Sequence, residues 1–218
     1  MRARHWMFWV ITSLLTLAIA IPRVEASVVQ VGVGAFSAGS TLTTFTGLAD
    51  LTEVNGLTVN GILFTYSLGN GNVAIDGGPG TTTNIAPPNV VVVPGGSPAG
   101  ILTLTFPTAL SQLGYGYAIL NVAPVTNATT ITLFQGATNV GILSYNGIPD
   151  PVFAGGFAGI ASTIPFDRAQ LTFNSAAGPS FALDNVRATP TSVPEPTSLV
   201  LLGVGLLGLF RTRRSSLR

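Results

Sequence analysis

Leu102-Thr103-Leu104-Thr105-Phe106 alternates apolar and polar side chains without a break, so an extended chain would carry all its apolar groups on one face. The alternation returns in Thr130-Ile131-Thr132-Leu133 and in Leu171-Thr172-Phe173. Further short apolar runs lie at Val28–Val33, Leu57–Val59, Ile62–Leu68, Val90–Val93, Tyr115–Val122, Val140–Tyr145 and Phe181–Val186. Gly, Pro, Asn, Thr and Ser separate them, and no run of a dozen body residues has a helical period. Asn60-Gly61, Asn70-Gly71 and Asn146-Gly147 have the residues of tight turns. About ten short strands joined by polar turns predict an all-β fold, an antiparallel β-sandwich or jelly-roll-like single domain over residues 27–188. Leu68 to Pro98 holds much of the Gly, Pro and Thr and predicts a long surface excursion, interrupted only by Val73–Ile75 and Asn89–Val93.

The two ends break this pattern. Arg2 and Arg4 precede an apolar run from Phe8 to Ile21, and Val24-Glu25-Ala26 follows it. That is the layout of a signal peptide, residues 1–26, cleaved after Ala26 and addressed to the Sec translocon. At the other end, residues 189–197 form a Pro/Thr/Ser linker that includes Pro194-Glu195-Pro196. An apolar run, Leu199 to Phe210, comes next, and then a tail with Arg211, Arg213, Arg214 and Arg218. As a helix those twelve residues would be only about 18 Å long. A full membrane span needs roughly 20 residues, so a permanent anchor of this length would be mismatched to the bilayer. The Arg cluster would remain on the cytoplasmic side.

Val193-Pro194-Glu195-Pro196, the Gly-bearing run with Gly203, Gly205 and Gly208, and the Arg tail closely resemble the PEP-CTERM sorting signal of bacterial exported proteins. The match spans residues 193–218. The resemblance implies recognition by exosortase, processing near Pro-Glu-Pro, transient anchoring in the inner membrane, and delivery to the cell envelope or an extracellular polysaccharide matrix. An ordinary short C-terminal anchor is the other reading of the stretch. A second resemblance lies in Phe157-Ala158-Gly159, Ser162, Ile164-Pro165-Phe166, Leu171-Thr172-Phe173 and Phe181-Ala182-Leu183-Asp184-Asn185-Val186. These look like the closing strands of β-sandwich domains in PEP-CTERM proteins, similar to the jelly rolls of carbohydrate-binding modules. It implies that Asp184, with Asn185, is a candidate for holding a structural Ca²⁺. The alternative is a pair that caps a strand end through its own hydrogen bonds.

Charge and composition narrow the chemistry. The sequence has no Lys and no Cys, and its single His, His5, lies in the signal peptide. Seven of the nine Arg lie outside the body, which keeps Arg168 and Arg187 against Asp50, Glu53, Asp76, Asp150, Asp167 and Asp184. A body of formal charge −4 without a basic patch is a poor partner for nucleic acid. Ser-His-Asp, Cys-His and Ser-Lys machinery cannot be assembled, nor can a His/Cys zinc site. No cofactor is expected, the Ca²⁺ candidate aside. A carboxylate-dependent glycan hydrolase or lyase is the only enzyme class left open, and it needs two facing acids. Against it stands a non-enzymatic structural or adhesive module that binds polysaccharide. Tyr115 and Tyr117 share a strand face, which suits either a platform for stacking sugars or ordinary sheet packing. Asn70 to Gly78 has a faint likeness to Gly/Asp-rich calcium turns, although a single copy also reads as a plain loop.

Overall fold

The computed structural model describes residues 27–36, 39–76 and 82–191. The expected signal peptide, the short C-terminal helix, the Pro-Glu-Pro motif and the Arg tail lie outside these residues. Among the described residues no helix is long and apolar enough to cross a membrane.

Eleven strands form one antiparallel sheet. In chain order they are β1 (Val28–Gln30), β2 (Thr41–Thr43), β3 (Thr58–Val59), β4 (Ile62–Tyr66), β5 (Val73–Asp76), β6 (Asn89–Val92), β7 (Leu102–Ile119), β8 (Val125–Gln135), β9 (Thr138–Pro149), β10 (Ala154–Phe173) and β11 (Phe181–Pro190). A single 3₁₀ turn, Val33–Ala35, is the only helical element among the described residues. The main path runs β5-β6-β11-β7-β10-β8-β9, with β1 on β10, β2 on β11, and β3 and β4 branching from β7.

The sheet folds back on itself because β7 and β10 turn a corner together. Ala158 pairs with Tyr115, while the ring of Phe173, fifteen residues further along β10, lies 6.4 Å from the Tyr115 ring. A straight strand would carry those two residues about 50 Å apart. The ladder shows where the bend occurs. It steps from Ala161↔Gln112 to Phe166↔Leu110 and then to Arg168↔Thr105, so each strand in turn has unpaired residues. Pro107 and Pro165, which have no N–H to donate, fall in those slack stretches. The sequence predicts separate strands at Leu102–Phe106 and Tyr115–Val122. The structure joins most of both into the eighteen residues of β7, because bulges let a strand bend without ending.

Side chains from the two halves fill the space between them. Phe173 stacks on Phe181 with 3.8 Å between ring centroids and 9° between planes. The Tyr66 ring lies 6.4 Å from that of Phe181, and Phe106 meets Phe166 edge-on. Each tyrosine in this core places its hydroxyl on an oxygen, as a buried phenol must. Tyr115 bonds Thr129 Oγ1 at 2.7 Å, Tyr117 donates to the Asn146 carbonyl at 2.8 Å, and Tyr145 donates to the Gly159 carbonyl at 2.6 Å.

Two local expectations hold and two are corrected. Asn60-Gly61 is a tight turn, both residues at positive φ, between β3 and β4. Asn146-Gly147 is not a turn and lies inside β9. The stretch from Leu68 to Pro98 is interrupted where expected, by β5 and β6, and β6 pairs with β11. β11 runs to Pro190, two residues beyond the expected domain end, because Ala188 and Thr189 continue the ladder with β7.

Burial pushes the Tyr117 phenol up to about 12 and those of Tyr115 and Tyr145 higher still. In the unfolded chain each ionises near 10, so the stability they give is complete below that pH and is lost as pH rises past it. Urea unfolding between about pH 10 and 12 should lose about 1.4 kcal/mol per pH unit for each tyrosine. Tyr145→Phe should make the decline shallower by one proton's worth, and an unchanged slope would count against this origin.

Candidate binding face

The outer surface of β6, β11 and β7 is built from the residues that alternate with the core. Val91 pairs with Ala182 and Ala182 with Ala118, and small side chains there leave a shallow apolar floor. Two loops wall it. Residues 82–88 bring Ile85 onto Ala118 and Ala182, and the loop before β10 brings Phe153. The loops are clasped to each other: Thr83 donates to Asp150 through its hydroxyl and, at 3.2 Å, through its backbone N–H.

The result is a cleft of about 150 Å³ whose lining includes Val91, Ala118, Ala182 and Phe153 with two polar groups, Asp76 and Ser180. Leu120, which also lines it, is 48% exposed. Such a site offers a half-exposed aromatic face, a carboxylate acceptor and a hydroxyl. None of these groups is a strong base or nucleophile at neutral pH.

The loop 82–88 lies close over β7 at Gly116, where an added Cβ would come 2.1 Å from the Asn84 carbonyl oxygen. Only glycine permits that approach. Beside it, Asp184 Oδ2 accepts the Ala86 N–H at 3.2 Å, and Asn185 Nδ2 donates to the Asn84 carbonyl at 2.9 Å. Asp184 is 3% exposed, and burial raises its carboxyl above the usual range against the pull of the backbone N–H groups.

The residues singled out in the sequence are dispersed. Tyr115 and Tyr117 are 0% and 1% exposed, so neither can stack on a sugar; of the two readings of their shared face, ordinary sheet packing is the one found. Phe181 and Leu183 do face the core, but Asp184 opposite them is covered by the loop instead of meeting solvent. Asn185 sits at φ +54° in the bulge between Asp184 and Arg187, and its amide donates to the Asn84 carbonyl, which fastens the loop. Val193, Pro194, Glu195, Pro196, Arg211, Arg213 and Arg214 lie outside the described residues. Several acids have structural duties: Glu53 accepts the N–H groups of Gly71 and Asn55, and Asp167 accepts that of Gly136. Sequence reasoning missed the cleft itself. Its floor is alanine and valine, and Phe153 stands alone in a turn, so no pattern marks it.

The family model of the PEP-CTERM protein-sorting motif matches residues 192–214, and the chain carries that motif. No curated protein matches the chain. Among solved structures, the K2 cleaved adhesin domain of Lys-gingipain is 12% identical, with 71% of this chain and 100% of that one covered and a TM-score of 0.47. A family 29 carbohydrate-binding module is 13% identical, with 73% and 97% covered and a TM-score of 0.37. At such identities and scores the likeness says nothing of what this chain binds.

Gly116→Ala should force the loop off the sheet and lower the melting temperature by several degrees, a cost of about 1–3 kcal/mol. Gly34→Ala, with open space around it and no positive φ, should be neutral. Thermal melts of the two variants against the native protein check this.

Proposed function

We propose that this chain is an exported, non-enzymatic surface or matrix protein that is sorted by exosortase and binds polysaccharide through its outer cleft. The carrying observation is the sorting motif at residues 192–214. In this reading the Sec translocon exports the chain, cleavage after Ala26 removes residues 1–26, and the helix 199–210 holds it transiently in the inner membrane. Exosortase then acts near Pro194-Glu195-Pro196. Arg211, Arg213 and Arg214 keep the tail cytoplasmic until then. The folded sheet, a jelly-roll-like sandwich over residues 27–188 with a short linker after it, is the part that works outside the cell.

Polysaccharide suits the cleft for chemical reasons. The cleft is smaller than the roughly 300–1,000 Å³ of pockets that enclose a whole small ligand, so it fits one ring of a longer chain. A pyranose has an apolar C–H face that can lie on Phe153, and hydroxyl groups that can donate to Asp76 and exchange hydrogen bonds with Ser180. A glycan hydrolase would need a second carboxylate across the cleft. Asp76 is the one acid lining it among the described residues.

Intact mass of the mature protein from its host tests the sorting reading. A species that begins at Ser27 and ends near Pro194–Pro196 is expected, and Glu195→Ala should leave unprocessed precursor. A native species that retains Leu199 to Arg218 in the membrane would mean a plain anchor. For the cleft, Phe153→Ala should weaken binding to the host's own exopolysaccharide roughly tenfold with little change in melting temperature. Equal binding by variant and native protein would move the site elsewhere.

A further inference from the structure

The floor of the cleft is one row of the sheet. Val91 on β6, Ala182 on β11 and Ala118 on β7 stand opposite one another and share a face. With strands about 4.8 Å apart, the row is about 10 Å long. Its side chains are alkyl only, and the backbone groups behind them are taken up by the ladders on both sides. A hydroxyl pressed onto this floor would leave water and find no partner, whereas a methyl group would gain by the burial.

The polar side chains of the lining accept hydrogen bonds and do not donate them. Asp76 brings a carboxylate. The Ser180 hydroxyl donates within the protein, to the carbonyl of Phe181 at 3.3 Å or of Val92 at 3.4 Å, so towards a ligand its oxygen is an acceptor. A sugar hydroxyl can supply the hydrogen to either. A uronate, sulfate or phosphate has none to give, and it would meet Asp76 with like charge. No basic side chain lines the cleft among the described residues. The sequence has none between Arg23 and Arg168, a stretch that supplies every part of the lining except Ser180 and β11. On β11, Arg187 pairs with Gly114 whereas Ala182 pairs with Ala118, which sets the arginine about 13 Å along the strand. Arg168 pairs with Thr105 beyond the corner and packs 4.5 Å over the Phe134 ring.

We propose that the cleft selects a neutral sugar residue that carries a methyl group, either the C6 methyl of a 6-deoxyhexose or the methyl of an acetyl substituent. This rests on the reading of the cleft as a polysaccharide site and adds which polysaccharides it takes. The methyl lies on Val91, Ala182 and Ala118, a C–H face of the ring lies on Phe153, and hydroxyls donate to Asp76 and Ser180. Polymers of uronate, or those bearing sulfate or phosphate, are refused twice, by like charge and by the lack of a donor. Polymers of unmodified hexose bind less well, because a hydroxymethyl oxygen would be stranded on the floor. One methyl group in an apolar pocket separates two ligands roughly 10–200-fold, and a shallow cleft stands at the low end of that range.

The test is competition for the mature protein bound to its host's exopolysaccharide. The competitors are monosaccharides in which only the group on C5 changes, from methyl to hydroxymethyl to carboxylate, in the galacto, gluco and manno configurations and both enantiomers. The N-acetylhexosamines of the same configurations complete the panel. In the configuration that binds best, the methyl or the N-acetyl sugar should compete about tenfold better than the plain hexose, and the carboxylate should not compete. A deoxy sugar in first place puts the methyl on C6, and an N-acetyl sugar in first place puts it on the acetyl group. Asp76→Asn should bring the carboxylate up to the level of the plain hexose. Ala182→Ser, which sets a hydroxyl on the floor, should remove the preference for methyl. Equal competition by methyl and hydroxymethyl sugars overturns the inference, as does a carboxylate in first place or a panel in which nothing competes. If Phe153→Ala weakens polysaccharide binding in any of those cases, the cleft remains the site and only its specificity is wrong. If Phe153→Ala leaves that binding intact, the reading of the cleft itself fails.

Discussion

Everything in this domain depends on β7 and β10 remaining paired while both turn through the corner around residues 106–109 and 162–165. That pairing puts Tyr115 between Ala158 and Phe173, closes the two halves of the sheet over one apolar interior, and leaves β11 and β8 nowhere to lie except against the long strands. With no Cys in the sequence there is no covalent alternative. The corner therefore has to be held by backbone ladders and close packing. The tyrosine hydroxyls that reach Thr129, Asn146 and Gly159 add fixed cross-links between strands where a phenylalanine would only fill volume.

The outer face follows a different rule. A sheet with one face in the core can leave the other to water, but here a loop is folded onto it and polar side chains are caught beneath. Alanine and glycine make this possible, since Ala118, Ala182 and Gly116 are short enough to let a second layer of backbone approach. The same small residues that admit the loop also form the floor of the cleft beside it. Carrying a loop and lining a cleft are thus two uses of one surface.

Much of the strand content was legible in the sequence, because period-two alternation at Leu102–Phe106 and Ile131–Leu133 reports burial on one face directly. The corner was not. A bulge has no periodicity, and the alternation of Leu102–Phe106 stops before Pro107, although β7 continues through it. Asp184 was visible as an acid in an apolar strand, but the Ala86 N–H that it accepts is 98 positions away and reaches it only through the packing of the loop. Tyr115 and Tyr117 show the reverse difficulty: alternation gives a shared face, and says nothing of whether that face is inside. Phe153 carried no signal, since a single aromatic in a turn acquires meaning only from the loop packed next to it.

The placement of β11 has a mechanical consequence. Its first residues, Phe181 and Ala182, line the cleft, and at its far end the Thr191 N–H is held by the Ala109 carbonyl before the chain leaves towards the tail. Ten residues of strand, about 33 Å, therefore lie between the cleft and Thr191. A pull between the two runs along the strand, at right angles to its hydrogen bonds with β7. In that direction the bonds bear the load together and cannot be unzipped one after another, which is the geometry a domain needs if it is to hold on under flow.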